Sequence, residues 1–209
     1  MLTTLIPVFP LPDVVLFPGV FLPLHVFELR YRQMVKDSLA GDRLIGISLL
    51  RPGWDHDAAN RPAIYSVGCV GLISHIEELS DGRYNLVLNG VEKFRVVREE
   101  EPARAYRRAS VDYVEERMTA ADRDSVRRQR HHLERLLTTV AETPDRPFPS
   151  NLSDEEVINA LAQYLDLEPI ERQALLEQEG VARRCGALID LLEMKEMSGL
   201  HEPGRGLRH

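Results

Sequence analysis

His25 and Glu28 stand three residues apart, a spacing that on a helix would turn an imidazole and a carboxylate to one face, where both could hold a metal ion. Such a site needs about two more ligands, and none is spaced nearby. Glu28 is better read as the start of a helix, where the dipole favours negative charge. Asp55, His56 and Asp57 fall in a polar loop. His131 and His132 are adjacent in a helical stretch, where neighbours point about 100° apart and cannot jointly grip one ion. The segment GDRLIGIS, Gly41 to Ser48, repeats the glycines and hydroxyl of a phosphate-binding loop. Ile47, however, occupies the place of the essential lysine, and the segment runs from helix to strand instead of strand to helix.

Nucleophiles are equally sparse. No G-x-S-x-G elbow occurs, and Ser48, Ser66, Ser74 and Ser110 all lie in strand-like patterns. The lysines, Lys36, Lys93 and Lys195, sit in charged stretches that read as exposed, whereas a catalytic lysine needs burial to lower its pKa. Arg123, Arg127, Arg128, Arg130 and Arg135 make one helix locally basic. Asp122, Asp124 and Glu134 share that helix without interleaved aromatics, so it reads as a solvated, ion-paired face more than an RNA platform. The formal net charge of −7 also argues against nucleic acid as a partner. No catalytic, cofactor-binding or metal-binding set is expected.

The elements that would carry these residues divide into two kinds. Pro7, Pro10, Pro12, Pro18 and Pro23 break the opening into short extended pieces, LIPVF, VVLF and VFLPL. Its 11 uncharged residues between Asp13 and His25 are too few for a membrane span of about 20, and no Lys or Arg precedes Arg30 to mark a secretion signal. Phe27, Tyr31, Met34, Val35 and Ser38 then follow a helical period, ending at Gly41. β-branched, alternating runs follow, with turn signals at Asp81-Gly82 and Asn89-Gly90. Five or six strands before about residue 116 predict a small mixed barrel or folded-over sheet carrying one helix. From about residue 119 the period is helical. Val126, Leu133, Leu136, Leu137 and Val140 form one face, and Ser153 to Glu156 (SDEE) is a capping box. Pro169 suits the first turn of a further helix, and Val181, Cys185, Leu188, Ile189 and Leu192 line the last one.

The residues in this order resemble a known family. IPVFPLPDVVLFPGVFLPLHVFELRY, beginning at Ile6, resembles the opening of the N-terminal, substrate-recognition domain of Lon proteases. VGCVGLISHIEELSDGRYNLVLNGVEKFRV, beginning at Val67, is similar to that domain's second signature, and Leu152 to Met194 is similar to its leucine-rich helices. The resemblance spans about residues 5 to 197. It implies an α+β chain: a PUA-like pseudo-β-barrel N-terminal half with one helix, residues 1–117, then a helical bundle over 118–198, with 199–209 expected to be a disordered tail. The chain ends at His209, so a free-standing domain without the ATPase motor or Ser–Lys peptidase is expected, with no positions for that family's catalytic residues.

Together the residues and the resemblance point to a non-catalytic module that binds protein or peptide clients, unfolded ones included, or acts as an adaptor. Phe17, Val20, Phe21 and Leu22 are the candidate protein-binding surface if the bends expose them; their other fate is the barrel core. An RNA-binding PUA-like protein and an enzyme with a site assembled from distant strands are the alternatives. No cofactor and no membrane are expected. Cys69 and Cys185, far apart and in apolar surroundings, fit a reducing cytoplasm.

Overall fold

A computed structural model describes residues 2–54, 61–101, 104–140 and 152–197. Six strands form one sheet: β1 (Leu5–Leu11), β2 (Phe21–Val26), β3 (Leu44–Leu49), β4 (Val67–Glu78), β5 (Tyr84–Glu99) and β6 (Arg107–Val114). β1 pairs in parallel with β3 and antiparallel with β6, and β6 pairs with β5. β5 pairs with β4 and β4 with β3, so these five strands close on themselves as a small barrel. β2 is annexed to β5 outside that ring.

The prolines sit where this ladder does not need an N–H. The bond from Val111 N–H to the Thr4 carbonyl (2.8 Å) sets the alternation of β1: its even residues turn toward β6 and its odd ones toward β3. Pro7 lies one residue before the β3 pairing begins at Val8, and Pro10 faces the β6 side beyond Arg107, where that strand has ended. In β2 the Gly90 N–H to Val20 carbonyl bond puts even residues toward β5, which leaves Pro23 on the outer edge.

Inside the barrel, Ile6, Val8, Leu44, Val70, Phe94, Ala109 and Val111 form one core cluster. Gly68 makes room for the Phe94 ring: a Cβ there would stand 2.5 Å from Phe94 Cζ and 2.3 Å from the Ile47 carbonyl. A second cluster packs the other face of the strands under β2 and the helix α1 (Leu29–Leu39). α1 buries Tyr31, Met34, Val35 and Ser38 at the expected spacing. Phe27, expected on that face, precedes the helix and is exposed, while Glu28 is the N-cap and pairs with Arg30 at 2.9 Å.

The expected extended piece Val14–Phe17 is not a strand, although Val15, Leu16 and Phe17 are buried. Side chains of α3 (Asp154–Tyr164) bond instead to the backbone at its end and just beyond it. Gln163 Oε1 accepts from the Phe17 N–H (3.1 Å), Gln163 Nε2 and Tyr164 Oη donate to the Phe21 carbonyl, and Asn159 Nδ2 donates to that of Pro18. From α4 (Pro169–Leu176), Gln173 Nε2 reaches the Val67 carbonyl at 3.0 Å. Described residues of 159–177 form one compact unit with those of 1–115.

At Asn89-Gly90 the strand continues through a bulge, with Val91 as the extra residue between the Gly71–Gly90 and Val70–Glu92 pairs. A Cβ at Gly90 would lie 2.0 Å from the Phe17 carbonyl. The bulge also shifts the alternation of β5, so that Lys93 and Phe94 are both buried. Lys93, read from sequence as exposed, is 3% exposed and has polar partners.

Among the described residues, the second unit comprises 116–140, 152–158 and 178–197. α2 (Ala120–Val140) packs on α5 (Val181–Met197), with Val126, Leu133, Cys185, Leu188 and Leu192 buried. The capping box forms as read: Ser153 Oγ accepts from the Glu156 N–H, and Glu156 Oε2 accepts from the Ser153 N–H at 2.8 Å. Arg184 is wholly buried and donates through Nη2 to both oxygens of Glu116, at 2.7 and 2.8 Å. The loop around His56 and the stretch 198–209 lie outside the described residues.

Candidate functional site

The first unit carries a groove of about 790 Å3, a size ordinary for ligand sites. It opens where the β1–β6 ladder stops. Phe9, Pro10, Leu11 and Pro12 run along one wall, and Leu24, His25, Phe27 and Glu28 form the opposite one. Trp54, Pro62, Glu100, Arg104 and Tyr106 also line it.

The floor is aromatic. The Phe9 and Tyr31 rings lie 4.2 Å apart, and the Arg30 guanidinium sits 4.6 Å over the Tyr31 ring. At the rim, Phe27 and Trp54 are 61% and 43% exposed. These are large apolar side chains left in water beside an apolar groove, an arrangement that favours an apolar occupant.

Arginines and carboxylates alternate around the groove. Arg61 donates through Nε and Nη2 to Glu99 Oε2 (3.2 and 3.0 Å) and through Nη2 to the Glu100 carbonyl (2.7 Å). Arg107 donates through Nη2 to the Pro62 carbonyl at 2.6 Å. Arg104 pairs with Asp37, which also accepts from Tyr106 Oη at 2.7 Å. Burial, followed by the Asp37 bond and charge, pushes the Tyr106 phenol up to about 12. The Tyr106 bond is the main reason the Asp37 carboxyl is held below its ordinary value. Burial raises the Tyr31 phenol and lowers Arg107, the latter partly offset by Glu99. This network anchors the β5–β6 connection, part of the groove lining, to α1.

Of the residues singled out from the sequence, His25 and Glu28 line the groove, and the candidate protein-binding set lies elsewhere. Phe17, Val20 and Leu22 are in the interior, and of that set only Phe21, 54% exposed, presents its side chain to solvent. His25 bonds Asn85 (2.7 Å), whereas Glu28 bonds Arg30, so the pair does not converge. Among the described residues no group of three or more His, Cys, Asp or Glu could hold a metal ion. Gly46 lies inside β3, and Ser48 Oγ donates to the Tyr65 carbonyl, so the GDRLIGIS segment cradles no phosphate. On α2, Arg130 is paired with Glu134 and Asp154, and His132 with Glu193. No helix among the described residues is long and apolar enough to cross a membrane. The groove itself was missed from sequence. Its one available signal was Trp54, the single tryptophan of the chain, set in a polar loop where packing does not call for it.

The chain resembles known proteins over nearly its whole length. It is 29% identical to Lon protease 2 of Myxococcus xanthus over 91% of this chain, and 31% identical to the Lon protease of Trichlorobacter lovleyi over 90%. It spans only 24% of the length of either relative. Among solved structures, a Lon N-terminal domain protein from Xanthomonas campestris superposes with a TM-score of 0.63 at 27% identity, covering 90% of this chain and 98% of that one. The N-terminal domain of Lon protease from the Mycobacterium avium complex shares the fold, with a TM-score of 0.61 at 18% identity. Residues 5–194 match the family described as the ATP-dependent protease La (LON) substrate-binding domain, and the chain belongs to that family.

Proposed function

We propose that this chain is a protein-recognition module that captures exposed, apolar-rich stretches of polypeptide in the groove of its first unit and contributes no covalent chemistry of its own. The observation that supports this reading is the groove: an aromatic floor of Phe9 and Tyr31 and an apolar rim of Phe27 and Trp54, in a domain whose family is described as substrate-binding. Protein clients and an adaptor role both follow from it. A reducing cytoplasm suits the two cysteines, which are free and buried; burial pushes the Cys185 thiol up to about 11, which keeps it unreactive.

The reading is tested by binding of a chemically unfolded, fluorescently labelled protein to the purified chain. Phe27→Ser and Trp54→Ala are expected to weaken capture about tenfold or more, while Phe21→Ser, on the surface first suggested by the sequence, changes it little. Loss of capture with Phe21→Ser alone would move the site to that surface. Undiminished capture in all three variants would remove the groove from consideration.

A further inference from the structure

Arg107, half-buried, lines the groove with donors that the fold does not use. Its side chain is 11% exposed, yet only Nη2 makes a hydrogen bond, to the Pro62 carbonyl. Glu99 Oε2 lies 3.6 Å from Nη1, beyond hydrogen-bond length, and that oxygen already accepts from Arg61. Nε makes no hydrogen bond among the described residues. The Tyr31 hydroxyl, on a residue 7% exposed, also has no hydrogen-bond partner among the described residues. The ring is buried, but the hydroxyl is not among the enclosed unpartnered polar atoms, so it is open to the groove. Both side chains line the same groove. Of the other arginines there, Arg30 is spent on Glu28, Arg61 on Glu99 and Arg104 on Asp37, while Arg108 faces Glu100 at 3.7 Å.

The direction of the strands says which anion fits. β6 begins at Arg107 opposite Val8, and past that pair the β1 edge from Phe9 to Leu11 runs on along the groove without a partner on the β6 side. Ladder alternation turns the Pro10 carbonyl toward that vacant side, where it can accept an N–H. A chain laid there in line with β6 would point its C-terminal end at Arg107. Glu28, Glu100 and Glu101 around the groove disfavour a multiply charged anion such as phosphate.

We propose that Arg107 and Tyr31 form a subsite for the C-terminal carboxylate of a bound polypeptide, whose last apolar side chains pack on Phe9 and Leu11. This rests on the reading of the groove as a polypeptide site and adds to it the end of the chain that is recognised. Charge-assisted bonds from a guanidinium and a phenol reward a carboxylate over the uncharged amide.

The test uses the whole chain and a fluorescein-labelled decapeptide ending in Leu-Phe-Leu, made as the free acid, as the C-terminal amide, and as the amide with a glutamate four residues from its end. Anisotropy titrations are expected to show the acid binding about ten- to a hundredfold tighter than either amide. Tyr31→Phe, which keeps the ring against Phe9, and Arg107→Lys, which keeps a charge but not the fork, are expected to erode that preference while leaving affinity for the amide in place. Equal binding of acid and amide overturns the carboxylate subsite and leaves the groove reading intact. An amide with internal glutamate that matches the free acid assigns the donors to a side-chain carboxylate and overturns the terminal one. Failure of every peptide to bind rejects the groove reading, and this proposal with it.

Discussion

Arg184 and Glu116 form the interaction in the second unit whose loss should be felt most. Both side chains are buried, and the Nη2 bonds to the two carboxylate oxygens are short, at 2.7 and 2.8 Å. The Gly180 N–H adds a longer contact to Glu116 at 3.2 Å. Arg184→Met removes the guanidinium and leaves a carboxylate in a site built for a pair. Breaking a buried pair from one side costs about 3–5 kcal/mol, because the charge left behind has lost its partner but not regained water. Replacing both partners, Arg184→Met with Glu116→Leu, removes the desolvation problem as well and should restore most of that loss. Urea unfolding followed by far-UV circular dichroism and by tryptophan fluorescence measures both, and coincidence of the two transitions decides whether a single free energy applies. A cost below about 1 kcal/mol for the single variant would refute the reasoning, because it would mean that the pair is not desolvated. A double variant as unstable as the single one would refute it too, since the cost would then lie in packing and not in charge.

Three further outcomes are expected. Gly90→Ala would set a Cβ 2.0 Å from the Phe17 carbonyl, backbone against backbone, and should lower stability by about 1–3 kcal/mol in a denaturant titration. Gln163→Leu removes the side-chain acceptor of the Phe17 N–H in the interior and should cost about 1–3 kcal/mol, with faster amide exchange at Phe17 as the specific readout. Glu155 has its carboxyl raised, first by burial and then by the Glu116 charge. A raised carboxyl contributes stability that is fully present below its unfolded value and lost as pH rises through its folded value. Glu155→Gln should therefore raise the melting temperature at pH 7 and lose that advantage toward pH 4; a constant difference across that range would remove the assignment.

The strand and helix pattern was legible because it is written in short-range rules. Prolines mark strand ends and open edges, Ser153 and Glu156 mark a helix start, and the helical period of Tyr31, Met34, Val35 and Ser38 marks the buried face of α1. Three errors share one cause, an interaction between residues far apart in sequence. VVLF looked like a strand because its residues are extended and apolar, but the Phe17 N–H at its end bonds the amide of Gln163, and Asn159 bonds the Pro18 carbonyl just beyond; both look like ordinary polar helix positions. Lys93 looked exposed because nothing local reports that Val91 bulges and shifts the alternation after it. Phe21 and Leu22 alternate correctly across β2, outward and inward, while Phe17 and Val20 go inward because the α3 amides hold the segment down.

The groove was invisible for a deeper reason, because it comes from a mismatch in strand lengths. β1 runs to Leu11, but its antiparallel neighbour begins at Arg107, opposite Val8. Three residues of β1 are thus left without a partner on that side, and Pro10 lies among them. A non-proline residue there would expose an unpaired N–H to the groove; proline presents only its carbonyl. The arginine that opens β6 then stands at the end of the unpaired edge, with donors the fold does not use. Pro10→Ala separates two roles for this edge. If it is only a strand end, the new N–H is solvated and nothing changes beyond a few tenths of a kcal/mol in stability. If a polypeptide lies along it, that N–H meets the incoming backbone, and affinity for the free-acid peptide should rise or fall severalfold while the melting temperature stays near its original value.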